Sequence, residues 1–159
     1  MAAQSHPITI LGMKMIEEEL THLVKFDREE VKTEIATARE HGDLKENAEY
    51  HAAKEKQSHI EGRIGELQAK VGSAKIVDVS KNELESIVFG ATVQLFSEEK
   101  DTSFTYQIVG EDEAMTSPNK ISYTSPLGRA LIGKEEGDEV VVKAPKGDVN
   151  YEVESIEYV

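Results

Sequence analysis

The sequence predicts two units of different class: an N-terminal antiparallel helical hairpin, then a small antiparallel α+β domain with one short helix. Three observations carry this prediction. Apolar residues recur every three or four positions as far as Val71, strand-like alternation begins after Gly72-Ser73, and one short polar stretch, DLKEN (Asp43 to Asn47), interrupts the helical half. The expected boundaries are 1–73 for the hairpin with its tip at 42–47, 74–80 for a linker and first strand, and 81–159 for the sheet domain.

In chain order, the first helix carries Met13, Ile16, Leu20, Leu23 or Val24, Val31, Ile35 and Ala38 on one stripe. The stripe slips in phase around Phe26-Asp27-Arg28, which predicts a bend or weak packing there. The second helix carries Tyr50, Ala53, Gln57, Ile60, Ile64, Leu67 and Val71, a heptad seam of a coiled coil with Gln57 its one polar interruption. Neither stripe is buried by its own helix, so the two fold against each other at DLKEN. Pairing Ala38 with Tyr50, Ile35 with Ala53, Val31 with Gln57, Arg28 with Ile60 and Val24 with Ile64 brings mostly seam residues together. At ~1.5 Å rise per residue, the hairpin is a finger roughly 40 Å long. Periodicity alone leaves open whether such a hairpin acts or only braces and dimerises.

After Ser73 the period becomes that of strands. AKIVDV (Ala74 to Val79), IVFGATVQLF (Ile87 to Phe96), TSFTYQIVG (Thr102 to Gly110), NKISYT (Asn119 to Thr124), DEVVVKA (Asp138 to Ala144) and VNYEVESIEYV (Val149 to Val159) are β-branched or aromatic and separated by turn residues. Between the fourth and fifth, SPLGRALIG reads as one short helix with Ser125 as N-cap, Pro126 at the first helical position and Gly133 past the end. The acids at Glu98–Asp101, Glu111–Glu113 and Glu135–Glu139 fall in expected loops or turns and read as solvated charge.

Charge narrows the partners. A net charge of −13 repels a bare polyanion, because free DNA or RNA is bound by neutralising its phosphates. Residues 1–73 carry 10 Lys/Arg against 14 Asp/Glu, and residues 74–159 carry 8 against 17. No autonomous DNA binding is expected. With no cysteine, disulfides and thiolate zinc sites are excluded. No apolar run approaches the roughly 20 residues of a membrane span and the N-terminus does not read as a secretory signal, so a cytoplasmic location without membrane contact is expected. GxxxxGK[ST], HExxH and GxSxG are all missing. His41 and His51 flank the tip, but two ligands do not make a zinc site.

The tip itself reads in two ways. Asp43-Leu44-Lys45-Glu46 has the form of a capping box, with Asp43 as N-cap and Glu46 at N3. The same two residues are a pair of carboxylates, ionised at pH 7 and favoured by the helix N-terminus, of the kind a hard divalent cation such as Mg²⁺ takes. Two carboxylates cannot complete an octahedral shell. The remaining ligands would come from another molecule.

The stretch AREHGDLKENAEYHAAKE (Ala38 to Glu55) resembles the hairpin tip of the bacterial Gre transcript cleavage factors. ITILGMKMIEEELTHL (Ile8 to Leu23), VFGATV (Val88 to Val93), YQIVGEDEA (Tyr106 to Ala114), ISYTSPLGRALIGKEEGDEVVV (Ile121 to Val142) and IEYV (Ile156 to Val159) extend the resemblance over nearly the whole chain. It implies a hairpin that enters the secondary channel of RNA polymerase and an FKBP-like C-terminal domain that grips the enzyme's rim. It further implies rescue of backtracked complexes, with the polymerase itself cleaving the extruded RNA 3′ end and no independent catalysis by the factor. Asp43 and Glu46 stand at the positions of the family's two tip acids, which would help hold a Mg²⁺ ion of the polymerase active centre and position the attacking water. Leu44, Lys45, Asn47 and Tyr50 would contact the channel, and Arg39 and Lys54 would lie near RNA phosphates. The alternative for Arg39 and Lys54 is a set of helix-surface charge pairs. Ser125, Pro126 and Leu127 would belong to the rim-binding surface. The acidic balance is closer to the GreA branch than to the more basic GreB branch, so short di- or trinucleotide products are expected. A non-cleaving regulatory channel binder and a prolyl isomerase are the rival readings. The presence of both tip acids speaks against the first, and the second rests on fold alone.

Overall fold

The protein is described by a computed structural model in which residues 5–42, 47–81 and 85–158 are placed. By compactness the chain forms two units, one of residues 1–6 and 14–74, the other of residues 7–13 and 75–159. The change of period near Ser73 therefore falls at the junction between units. Pro7–Met13, at the other end of the hairpin sequence, groups with the sheet unit instead.

In the hairpin unit, α1 (Ile10–His22) passes through a π-helical turn (Leu23–Asp27) into α2 (Arg28–Arg39), and α3 (Ala48–Ser73) packs back along α2. The π turn explains the phase slip. Its closing bond runs from the Arg28 amide to the Leu23 carbonyl, which takes one extra residue into the turn and rotates the stripe. Packing is weak there, as expected, with Phe26 60% exposed. Leu23, which opens the turn, is buried, and on either side the stripe returns inward: Met13 and Ile16 before it, Val31, Ile35 and Ala38 after it. Ala53, Ile60, Ile64 and Leu67 are buried from α3, while Tyr50, Gln57 and Val71 are half-buried. Flanking ion pairs mark the antiparallel register: Lys56 to Glu34 at 2.9 Å, Arg28 to Glu61 at 2.7 and 2.9 Å, and Arg63 to Glu19 at 2.9 Å through both nitrogens.

In the sheet unit, β1 (His6–Thr9) and β2 (Ala74–Val77) pair as a two-stranded sheet, followed by a 3-10 turn at Val79–Lys81. The main sheet has five strands in the order β5-β4-β3-β7-β6: β3 (Thr92–Ser97), β4 (Thr102–Val109), β5 (Lys120–Ser122), β6 (Glu139–Ala144) and β7 (Gly147–Glu157). Val93, Leu95, Ile108, Val140 and Val153 alternate onto one face. Ile87, Ala91 and Leu131, the last from the short helix α5 (Pro126–Leu131), close the core. Within the five-stranded sheet the pairs are antiparallel except β4 with β5, which run parallel from Gln107↔Lys120 to Val109↔Ser122. This corrects the expectation of a purely antiparallel sheet. Between β4 and β5 the chain passes through α4 (Glu111–Ala114) and returns so that Lys120, the first residue of β5, lies level with Gln107 near the end of β4.

The second correction concerns Glu111–Glu113. These residues form α4, and Glu113 is only 3% exposed. Its carboxylate accepts from the Thr9 hydroxyl and from Lys120 Nζ at 2.9 Å, so its charge is paired inside the unit and not solvated. The Thr9 hydroxyl also accepts the Gly12 amide at 2.9 Å. A Cβ on Gly12 would lie 2.8 Å from the Glu113 Oε1, so this contact also needs a glycine.

Candidate functional site at the hairpin end

Helix α2 ends because its last turn is closed by Glu40 N donating to Thr37 O at 3.2 Å and His41 N to Ala38 O at 3.1 Å. Gly42 follows at φ +124°, a conformation that favours glycine. Asp43, Leu44, Lys45 and Glu46 lie outside the described residues. The chain is described again from Asn47, which is the N-cap of α3 in an extended conformation, its side-chain oxygen accepting the Tyr50 amide at 3.0 Å. α3 begins at Ala48 with Asn47 as its cap, and the capping box read at Asp43 and Glu46 lies outside the described residues. The Asn47 amide also serves a second partner, donating from Nδ2 to the Ala38 carbonyl at the end of α2. An aspartate has no such donor.

Around this bridge the structure gathers several of the sequence-predicted residues. The Arg39 guanidinium sits over the Tyr50 ring, 5.7 Å from its centroid, a cation–π contact across the hairpin worth ~0.5–1 kcal/mol at an exposed site. Tyr50 also meets His51 edge to face at 5.6 Å. His41 Nδ1 lies 2.9 Å from the Glu49 carboxylate, which draws it toward α3. Lys54 is turned along its own helix to Gln57 Oε1 at 3.3 Å, so it is not brought to Arg39. Among the described residues no group of three or more His, Asp or Glu side chains could hold a metal ion.

The second candidate surface is the start of α5. Ser125 Oγ accepts the Gly128 amide at 3.0 Å and donates to the Ser122 carbonyl at 2.6 Å, as its reading as an N-cap requires. Pro126 is exposed at the first turn, whereas Leu127 is half-buried against the core. Gly128 packs so closely that a Cβ would fall on the Ser122 carbonyl oxygen. The glycine of SPLGRAL is therefore there for close approach of two backbones. Sequence reasoning missed the Thr9–Glu113–Lys120 cluster. The local sequence showed only an acidic run, and of the two partners of Glu113, Lys120 is seven residues away and Thr9 104.

Two family models match the chain: "Transcription elongation factor, N-terminal" over residues 6–76 and "Transcription elongation factor, GreA/GreB, C-term" over residues 81–158. Transcription elongation factor GreA of Thioalkalivibrio sulfidiphilus is 55% identical over 154 residues, 96% of this chain and 98% of that protein. GreA of Ruthia magnifica is 54% identical with the same coverage. Among solved structures, the GreA factor homolog 1 (Gfh1) protein of Thermus thermophilus is 26% identical with a TM-score of 0.45, covering 97% of this chain and 99% of that one. With both units matched in order and half the residues identical to GreA factors along nearly their full length, this chain belongs to the GreA/GreB family of transcription elongation factors, on the GreA side.

Proposed function

We propose that this protein is a transcription elongation factor that acts on RNA polymerase. Its coiled-coil hairpin enters the secondary channel and stimulates the polymerase's own cleavage of a backtracked RNA 3′ end. The observation that carries the reading is the 55% identity to a GreA factor over 96% of the chain, in a protein that retains both acids of the tip. The factor has no independent catalysis and acts in the cytoplasm; among the described residues no helix is long and apolar enough to cross a membrane.

The donor set at Asp43 and Glu46 fits Mg²⁺ chemically, since both are hard oxygen ligands and Mg²⁺ is commonly held by one or two carboxylates with water and phosphate oxygens completing its shell. When bound between polymerase and factor, the ion supplies charge stabilisation and an activated water. The chain's own part is to deliver the two acids. Leu44 and Lys45 contact the channel between them. Arg39, held over Tyr50 with its charge exposed, faces RNA phosphates; Lys54 lies further down the same hairpin. The C-terminal unit, which we read as FKBP-like, grips the channel rim through Ser125, Pro126 and Leu127. Of these Pro126 is the most exposed, and Leu127 has part of its surface committed to the core.

The test is transcript cleavage on a stalled, backtracked complex with Mg²⁺, comparing the unsubstituted factor with the double variant Asp43→Ala, Glu46→Ala. The variant should compete for polymerase as before and lose roughly 10–100-fold in cleavage rate, the scale of a lost metal-positioning contact. Because Asn47 caps α3, helix melting should not change, which separates lost chemistry from lost folding. Products should be di- or trinucleotides. Full cleavage by the variant would overturn the assignment. Binding without cleavage by the unsubstituted factor would favour a non-cleaving channel binder.

A further inference from the structure

We infer that Arg129, flanked by Pro126 and Ile132, forms a docking stripe on the sheet unit that takes a carboxylate side chain of RNA polymerase set among apolar neighbours. The inference rests on the proposed action on RNA polymerase and names the chemistry of one contact. Pro126, Arg129 and Ile132 stand three residues apart along α5 and its C-cap, and all three are exposed, Ile132 by 40%. Gly128 and Leu131 are buried, and Leu127 and Ala130 are half-buried against the core. The outward side of this short helix is therefore apolar at both ends with one cation between them, whereas a merely solvated side would be polar throughout.

The cation is held in place. Arg129 Nε donates to the Thr124 carbonyl at 2.8 Å. Thr124 is itself fastened: its amide donates to Ser122 Oγ at 3.1 Å and its hydroxyl to Glu111 Oε1 at 3.1 Å. Glu111 is thus engaged by the threonine, and among the described residues no carboxylate pairs with the outer guanidinium nitrogens of Arg129. The chain has four arginines, and the others differ. Arg28 and Arg63 each spend Nε and Nη2 on one glutamate, and Arg39 lies over the Tyr50 ring. Arg129 spends Nε on a carbonyl and keeps the edge formed by Nη1 and Nη2, whose planar fork matches a carboxylate. Residues 74–159 carry 17 Asp/Glu against 8 Lys/Arg, yet this one fixed cation is paired with none of them, so its counter-charge comes from the partner. The site is the guanidinium and not the helix start, because Ser125 Oγ already takes the Gly128 amide. A held arginine shielded by apolar neighbours is the arrangement in which an interfacial charge pair contributes most.

The test is binding of the full-length factor to RNA polymerase, with association and dissociation rates measured separately. Arg129→Gln should raise the dissociation rate at least ~10-fold and leave association little changed, as for a desolvated charge pair. Arg129→Lys, which keeps the charge without the fork, should fall between the unsubstituted factor and Arg129→Gln. Arg129→Glu sets carboxylate against carboxylate and should bind at least ~10-fold more weakly than Arg129→Gln. Lys143→Gln, the same change of charge at an exposed position on β6, should bind as the unsubstituted factor does. All four variants should keep the urea unfolding of the unsubstituted protein. Unchanged dissociation of Arg129→Gln overturns the inference, as does an equal effect of Lys143→Gln, which would reduce Arg129 to general charge. Equal binding by Arg129→Gln and Arg129→Glu also overturns it, because Arg129 would then only brace the Thr124 loop. An unsubstituted factor that binds and does not cleave removes the cleavage reading and leaves this inference to the dissociation rates. One that does not bind RNA polymerase overturns both.

Discussion

Val31 and Leu67 in the hairpin and Leu95 and Leu131 in the sheet unit are all fully hidden from solvent, but their surroundings differ. In the hairpin each buried residue belongs to a single stripe, and the neighbouring positions are long charged side chains reaching across the seam, such as Arg28 to Glu61. Contacts there are between residues at matching heights, so a loss at one height is felt locally. In the sheet unit eight buried residues form one cluster drawn from four strands, the loop before them and α5, and even the charge on Glu113 is buried and paired. The difference teaches why the hairpin end needs its own fastening. A seam of this kind fixes the helices along their length, and the last turn is held by the Asn47 bridge and the Arg39–Tyr50 contact.

That contrast can be broken by measurement. The largest stability effect is expected from Leu131→Ala, which removes a fully buried side chain from the joint core of sheet and helix: ~3–4 kcal/mol in urea unfolding, with the hairpin's helical signal retained at the first transition. A coincident loss of both signals would show that the two units unfold as one. Next is Glu113→Ala, which leaves Lys120, 21% exposed at its side chain, beside the vacated site and frees the Thr9 hydroxyl; about 2–3 kcal/mol is expected by the same measurement. A change below ~0.5 kcal/mol would mean that the buried charge is as costly as its pairing is favourable.

The smallest effect belongs to the hairpin's surface charges. The Arg28 side chain holds the Glu61 carboxyl below its usual value of 4.5, and Lys70 with Arg63 does the same for Glu66. A depressed folded value means stability that is present above pH 4.5 and lost as pH falls through the folded value. The hairpin's melting temperature should therefore decline as the solution is acidified below about pH 4.5, and the double variant Glu61→Gln, Glu66→Gln should flatten that decline. Since these pairs are open to water, 0.5 M salt should erase most of the difference between variant and parent. An unaltered acid profile in the variant would place the hairpin's acid sensitivity elsewhere.

Much of the architecture was legible before the structure. The three-four spacing named Val31, Ile35, Ala38, Ala53, Ile60, Ile64 and Leu67, and all seven are buried. The slip at Phe26–Arg28 is a π turn, because one surplus residue in an otherwise regular stripe must be absorbed by one wider turn. Ser125 and Pro126 at its start and Gly133 past its end specified α5, since capping and fixed φ act on neighbouring residues. The cap of α3 was not legible. The amide of Asn47, the residue that caps α3, meets the Ala38 carbonyl, which belongs to the opposite helix.

What the sequence by itself determined, then, is whatever depends on neighbours within a turn or two: two periods, two units, the breaks between elements and the presence of two carboxylates three residues apart. Only the tertiary structure decided that β5 runs parallel to β4, that Pro7–Met13 groups with the sheet unit, that Glu113 is buried between Thr9 and Lys120, and that Asn47 joins two helix ends. The reason is physical. Periodicity and capping are set by local sterics and local hydrogen bonds, whereas the partner of a buried carboxylate or of an asparagine amide is whichever donor or acceptor the folded chain brings within about 3 Å.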